Sequence, residues 1–87
     1  METNNLAIEY ALKALKINKK NAFAYSTLAD TYGRMGKEEE FFQNVEMALK
    51  YGFPVWDQID EIPYIRYANH ERFQNLLLRY QETVNNH

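Results

Sequence analysis

Apolar residues recur at three- and four-residue spacing in several stretches of the chain, which is the pattern of amphipathic helices. The clearest stretch runs from Leu6 to Ile17, and the polar run from Asn18 to Asn21 follows it. Asn21 and Asn69 are suited to cap the helices that begin after them. The spacing predicts helices over about 6–17, 22–34, 37–51 and 70–83, with no strand of four or more residues. We therefore predict an all-α fold.

Glycines mark the predicted ends of the central helices. Gly33 and Gly36 follow the second apolar stripe, and Gly52 follows the third. Glycine readily adopts the left-handed conformation in which many helices end. The third helix opens with the acidic run 38–40, which interacts favourably with the positive end of the helix dipole. These three carboxylates point in different directions around a helix, so we do not expect them to bind a metal together.

The segment between Pro54 and Pro63 is predicted to be irregular. Each proline disfavours helix at the residue before it, and Trp56 to Ile62 is too short for a full helix. Phe53 and Trp56, together with Phe23 in the second helix, are the aromatic residues that fit the buried stripes least well.

The chain resembles itself at an offset of 34 residues. Ala14-Leu15-Lys16 aligns with the identical tripeptide Ala48-Leu49-Lys50. The same offset places Ala7 on Phe41, Ile8 on Phe42, Ala11 on Val45 and Ile17 on Tyr51. Small residues at Ala11, Ala14, Ala29 and Ala48 are expected to let helices approach closely. A period of 34 is typical of tetratricopeptide repeats, each of which is a pair of helices.

Further residues resemble that family. Tyr25, Leu28-Ala29 and Tyr32 are similar to its aromatic, Leu-Gly and Tyr signature, and residues 51–77 resemble the segment that often closes its arrays. Phe41, Lys19 and Phe53 depart from the family, which prefers Ala at the first position and Pro at the other two. The resemblance implies a helix-turn-helix solenoid fragment: a half repeat at 6–21, a full repeat at 22–55 and a divergent C-terminal cap at 56–87.

The resemblance also implies a peptide-binding surface. In the family, the first helix of each repeat lines a concave groove that takes extended or helical peptides. The matching positions here are Phe23, Ser26, Thr27, Asp30 and Arg34. The Lys and Asn pair with which some members bind a C-terminal carboxylate is missing, so that class of ligand is not expected.

The first helix carries a second candidate surface. The stretch 6–17 resembles the second helix of a repeat whose first helix is not in this sequence. We therefore expect part of its stripe to be exposed, with Leu6 and Tyr10 as the foremost members. An exposed apolar patch commonly marks an interface. We expect it to dock onto upstream sequence of a longer protein or onto a second copy of the chain.

Composition limits the alternatives. The chain has 87 residues, 46% of them apolar and 25% charged, with a net charge of -2 and no Cys. No apolar run reaches the roughly 20 residues that span a bilayer, and no signal peptide precedes the first helix, so we expect a cytoplasmic protein. Lysines are concentrated in the first 20 residues, where we expect a solvated face rather than a nucleic-acid site. These lysines are Lys13, Lys16, Lys19 and Lys20.

No group of residues has the pattern of a catalytic site. Ser26 is the only serine and has no histidine near it, His70 is expected to be solvated, and His87 is the last residue. The three glycines form no phosphate-binding loop. We expect neither a cofactor nor a metal, and no enzyme. The sequence favours a protein-interaction module or scaffold, then a structural cap of a longer solenoid or multidomain regulator, and last a nucleic-acid-binding protein.

Overall fold

The computed structural model describes the backbone of residues 2–85 and the side chains of residues 4–81, so His87 lies outside the described residues. Regular structure in this range is helical throughout, which confirms the predicted all-α fold. Four α-helices follow one another along the chain: α1 (Glu2–Ile17), α2 (Ala22–Arg34), α3 (Glu38–Lys50) and α4 (Glu71–Asn85). The segment between α3 and α4 contains two short 3-10 turns, at Val55–Gln58 and Tyr64–Tyr67.

The helix ends follow local side-chain chemistry. The Asn21 side chain accepts a hydrogen bond from the Ala24 amide at 3.0 Å, which confirms Asn21 as the cap of α2. The prediction that Asn69 caps α4 was wrong. The His70 Nδ1 atom accepts from the Arg72 amide at 3.2 Å, because Asn69 still belongs to the turn before the helix.

Gly33 has a different role from the predicted one. It lies inside the last turn of α2, is buried, and does not end the helix. A Cβ atom at this position would lie 2.6 Å from the Pro63 Cγ and 2.8 Å from the Phe41 Cδ1. Gly33 is therefore required by the close approach of the C-terminal segment. Gly36 provides the left-handed backbone after the helix, with φ of 77°.

Helices α2 and α3 form an antiparallel pair. The Tyr25 and Tyr51 rings stack at 5.8 Å between centroids, which places the start of α2 beside the end of α3. The contact of Gly33 with Phe41 places the end of α2 beside the start of α3. Ala29 and Ala48 are fully buried, as expected of small residues at a close helix contact.

The main core joins α2, α3, the 3-10 segment and α4. Phe41 is at its centre, stacked on Tyr67 at 4.2 Å between ring centroids and close to Phe42, Tyr64 and Phe73. The buried members are Ala29, Phe41, Phe42, Val45, Leu49, Val55, Tyr64, Phe73 and Leu76. Phe53 and Trp56 pack partly buried against them.

A second, smaller core joins α1 to α2. Its buried members are Ala11, Ala24 and Leu28, with Ile8, Ala14 and Leu15 among the partly buried residues around them. The elements therefore stack in chain order, with α1 against α2 and α4 against α3.

Candidate protein-binding groove

An apolar groove runs between α1 and α2. Its volume is about 310 Å³, and small residues form its floor. The residues that line it are Ala7, Tyr10, Ala11, Ala14, Asn21, Phe23, Ala24 and Thr27. Two large aromatic side chains rise on its two sides, since Tyr10 is 64% exposed on α1 and Phe23 is 71% exposed on α2. We call this feature the N-terminal groove.

The N-terminal groove brings together residues from both predicted surfaces. Phe23 and Thr27 came from the predicted peptide-binding face, and Tyr10 from the predicted docking patch. The Thr27 hydroxyl donates to the Phe23 carbonyl at 3.1 Å, which leaves its methyl group for the groove wall. That these residues share one site could not be predicted from the sequence, because it depends on how α1 packs against α2.

Ser26 does not belong to an exposed binding face. Its side chain is buried, and its hydroxyl donates to the Phe23 carbonyl at 2.7 Å. A serine in this position satisfies its hydroxyl within the helix, as small hydroxyl residues commonly do. Ser26 therefore contributes to packing rather than to a ligand contact.

Asp30 and Arg34 form an anchor for the C-terminal segment. The Arg34 Nε atom lies 3.1 Å from the Asp30 Oδ2 atom, and Arg34 Nη2 donates to the Ile62 carbonyl at 3.1 Å. The guanidinium thus connects α2 to the loop before Pro63. The two residues are occupied within the chain and lie away from the N-terminal groove.

The docking patch on α1 is exposed as predicted, and it is larger than predicted. Leu6 is 49% exposed, and it shares a helix face with Tyr10 and with Ile17, which is 89% exposed. Leu12 is exposed on another part of the helix. Ile17 was missed because the apolar stripe alone does not reveal which of its members α2 covers. The helical spacing of residues 6, 10, 13 and 17 could have shown that they form one face.

Lysines lie in the last turn of α1 and in the loop that leads from α1 to Asn21, where the N-terminal groove ends. Lys16, Lys19 and Lys20 are exposed and make no ion pair among the residues described, whereas Lys13 lies 3.2 Å from Glu9. The first turn of α2, which begins at the same end, contains no acidic residue. The positive ends of the peptide dipoles at the start of α2 add to the lysine charges.

Polar contacts connect α3 to α4 on the opposite side of the molecule. His70 is exposed, as expected, and its Nε2 atom lies 2.7 Å from Glu38 Oε1, a surface contact that the sequence did not predict. Arg72 donates to Glu39 at 2.6 Å and Arg79 to Glu46 at 2.9 Å. The acidic residues in the first turn of α3 therefore contact α4, in addition to interacting favourably with the dipole of their own helix.

These contacts change the acidity of nearby groups. The Arg72 guanidinium, which donates to Glu39, holds the pKa of that carboxyl below its ordinary value and has its own pKa raised in return. Burial raises the pKa of the Tyr64 phenol, and the charge of Asp30 acts in the same direction. Burial and the neighbouring Glu46 raise the pKa of Tyr80. Both phenols therefore stay neutral near neutral pH, and the Tyr80 hydroxyl donates to Glu46 at 3.2 Å.

A second apolar groove, of about 410 Å³, lies beside α4. Trp56, Ile59, Leu77 and Leu78 provide its apolar lining. Asp57, Asp60 and Glu61, which neighbour the first two of these residues in the sequence, are all acidic. This C-terminal groove therefore has acidic residues near it, whereas the residues near one end of the N-terminal groove are basic.

The described side chains include no cluster of three or more His, Cys, Asp or Glu that could hold a metal ion. No described helix is both long enough and apolar enough to cross a bilayer. Comparison of the chain with protein families, curated proteins and solved structures gives no match.

Proposed function

We propose that this chain is a non-catalytic, tetratricopeptide-like interaction module, which binds a helical segment of another protein in the N-terminal groove. The family resemblance rests on the 34-residue offset and on the Tyr25-to-Tyr32 signature. The proposal retains the cytoplasmic location expected from the sequence.

One observation carries the proposal: exposed Tyr10 and Phe23 flank a floor of small side chains. Large aromatic side chains supply much of the affinity at protein interfaces, and they do so best around a pocket that excludes water. A helix fits a groove between two helices because its apolar stripe can enter while its polar face remains in water. The alanine floor allows its backbone to come close.

The alternative is a structural cap of a longer solenoid or multidomain regulator. In that case the N-terminal groove is covered by sequence of the same polypeptide. Nucleic-acid binding through the lysines is the more distant alternative. Protein binding is favoured because the groove itself is lined almost entirely by apolar groups, with the lysines confined to one end.

Selection from a library of helical peptides displayed on phage tests the proposal. We expect selected peptides to bind the 87-residue chain and to lose at least tenfold in affinity against Phe23→Glu, because a charged group would then lie at the apolar wall. Leu78→Glu is the matched control, since it places the same charge at the C-terminal groove. It should retain full affinity.

Failure to enrich any peptide from the library would contradict the proposal. So would peptides that bind the wild-type chain and Phe23→Glu equally. Circular dichroism of each variant checks that the helices are intact. An exposed position such as Phe23 is expected to tolerate the substitution.

A further inference from the structure

We infer that the helix bound in the N-terminal groove runs antiparallel to α1, begins with acidic residues and carries a large apolar residue in its last turn. This inference rests on the proposed function and names the partner's chemistry: an amphipathic helix of a separate protein. The chain's own helix pair and the charge at one end of the groove supply the reasons.

The pair of α2 and α3 is the template for the bound helix. The 34-residue offset places α1 on α3, with Ala7 on Phe41 and Ile17 on Tyr51. In the pair, α2 covers Phe41 with its last turn and Tyr51 with its first turn. On α1 the equivalent residues are open, because Ala7 lines the N-terminal groove and Ile17 is exposed. A helix in the equivalent position would begin beside Ile17 and end beside Ala7.

The positive charge at one end of the groove favours acidic residues in the first turn of the bound helix. Its N-terminus would lie beside the loop that contains Lys19 and Lys20 and next to the start of α2, which are all positive. The positive end of its own dipole would add to this charge. Acidic residues in the first turn would offset both the surrounding positive charge and the positive end of the dipole. Glu38, Glu39 and Glu40 occupy the same place at the start of α3.

The space beside Ala7 favours a large side chain in the last turn of the bound helix. In the template, the small Gly33 faces the large Phe41. On α1 the small Ala7 replaces the phenylalanine, so that the bound helix must fill the space of a ring from its own side. A large apolar residue at the position equivalent to Gly33 meets this need, since well-packed contacts pair large with small side chains.

No helix of a second copy meets these requirements. Helices α2 and α3 are each covered by neighbouring helices, while α1 begins Glu2-Thr3-Asn4 and α4 begins His70-Glu71-Arg72, each with a single acidic residue instead of an acidic run. Arg72 and Arg79 of α4 are already paired with Glu39 and Glu46 of α3 in the same chain, so α4 is held to its own neighbour. The chemistry therefore points to a separate protein.

Two synthetic peptides test the inference. Both contain the α2 sequence, residues 22–34, with Gly33 replaced by Phe, an acetylated start and an amidated end. The first has three glutamates added before the sequence, and the second has the same three added after it. We expect the first to bind about fivefold more tightly or better at low salt, because its charges meet both the lysines and its own dipole.

Nuclear magnetic resonance on the full chain locates the peptide and its direction. Binding should shift the amide signals of Ala7, Tyr10, Ala14 and Phe23. A nitroxide label at the start of the first peptide should broaden the signals of residues 16–21 and spare those of residues 6–8. Lys19→Glu with Lys20→Glu should remove the preference for the first peptide, whereas Lys37→Glu, at another loop, should leave it unchanged.

A third peptide that keeps Gly33 should bind at least about tenfold more weakly than the first, because it leaves the space beside Ala7 empty. A fourth, with the same composition and no apolar stripe, should not bind. Binding of the fourth peptide, or tighter binding of single-stranded oligothymidine at the same residues, would overturn the inference in favour of a general polyanion site.

Equal affinities for the first two peptides, or broadening at residues 6–8 instead of 16–21, would also overturn the inference. The proposed function would then still stand on the library peptides. Concentration-dependent shifts in the groove without any peptide, together with a dimer in sedimentation, would show that a second copy is the occupant. The choice of a separate protein would then be wrong.

Discussion

The two ends of this molecule are built from different kinds of side chain. Around α3, the main core contains four fully buried aromatic residues, namely Phe41, Phe42, Tyr64 and Phe73. Between α1 and α2, the buried residues are two alanines and one leucine. The C-terminal end therefore has most of the burial that stabilises the fold, while the N-terminal end keeps its large side chains outside. Most of the stability is expected to come from one end, and the proposed binding groove lies at the other.

The largest expected effect follows from Phe41→Ala. Phe41 is fully buried among four other aromatic rings, and its truncation should lower the free energy of unfolding by about 3–5 kcal/mol. Leu15→Ala, in the smaller core, should lower it by about 1–2 kcal/mol, because Leu15 is already partly exposed. Urea unfolding followed by circular dichroism measures both. Equal losses would contradict the division between the two ends.

The next largest effect is expected from larger side chains at the close helix contacts. Ala29→Leu and Ala48→Leu each add three heavy atoms at a position with no exposed surface. Each should lower the free energy of unfolding by about 1–3 kcal/mol in denaturant melts. Ala7→Leu, on the floor of the open groove, is the matched control and should have little effect. If both core variants were neutral, the close approach of the helices would be wrong.

Gly33→Ala should also destabilise the chain, although alanine is the better helix former by about 1 kcal/mol. The new Cβ atom would meet the Pro63 ring at 2.6 Å and the Phe41 ring at 2.8 Å, and both rings are buried. We expect a net loss of about 1–2 kcal/mol. Thermal melts can measure this loss, and a stabilised Gly33→Ala chain would show that the C-terminal segment moves aside freely.

The smallest effect concerns pH. Because Arg72 lowers the pKa of Glu39 in the folded chain, their contact contributes to stability above the ordinary carboxyl pKa of 4.5. The contribution is lost as the pH falls through the lowered folded-state value. Glu39→Gln should therefore reduce the loss of stability between neutral and acidic pH. Glu40→Gln removes a carboxyl that forms no ion pair among the described residues, and it should change this dependence less.

The helices could be predicted because their signals are local. The apolar spacing and Asn21 were enough for α2, whose predicted range of 22–34 agrees with the structure. Gly33 was misjudged as a helix end because the reason for its presence is Pro63, thirty positions further along the chain. The contact of His70 with Glu38 could not be predicted for the same reason, since Glu38 belongs to another helix.

The candidate site was only partly predictable. Tyr10 and Phe23 could each be selected as aromatic residues on an exposed helix face, but their meeting across one groove depends on the packing of α1 against α2. Ser26 and Thr27 are neighbours with similar chemistry, yet only one is buried. Consecutive side chains on a helix differ in direction by about 100°. At the edge of an apolar stripe, the sequence pattern therefore cannot show which of two neighbouring residues is buried.

The position of Trp56 has a practical consequence for spectroscopy. It is the single tryptophan of the chain, and it packs against the main core in the C-terminal half. Its emission therefore reports the loss of that core and is insensitive to α1. Far-UV circular dichroism reports all the helices, including the 16 residues of α1. When α1 separates before the rest unfolds, the ellipticity falls while the emission stays constant, and the gap between the two curves measures how tightly the halves are coupled.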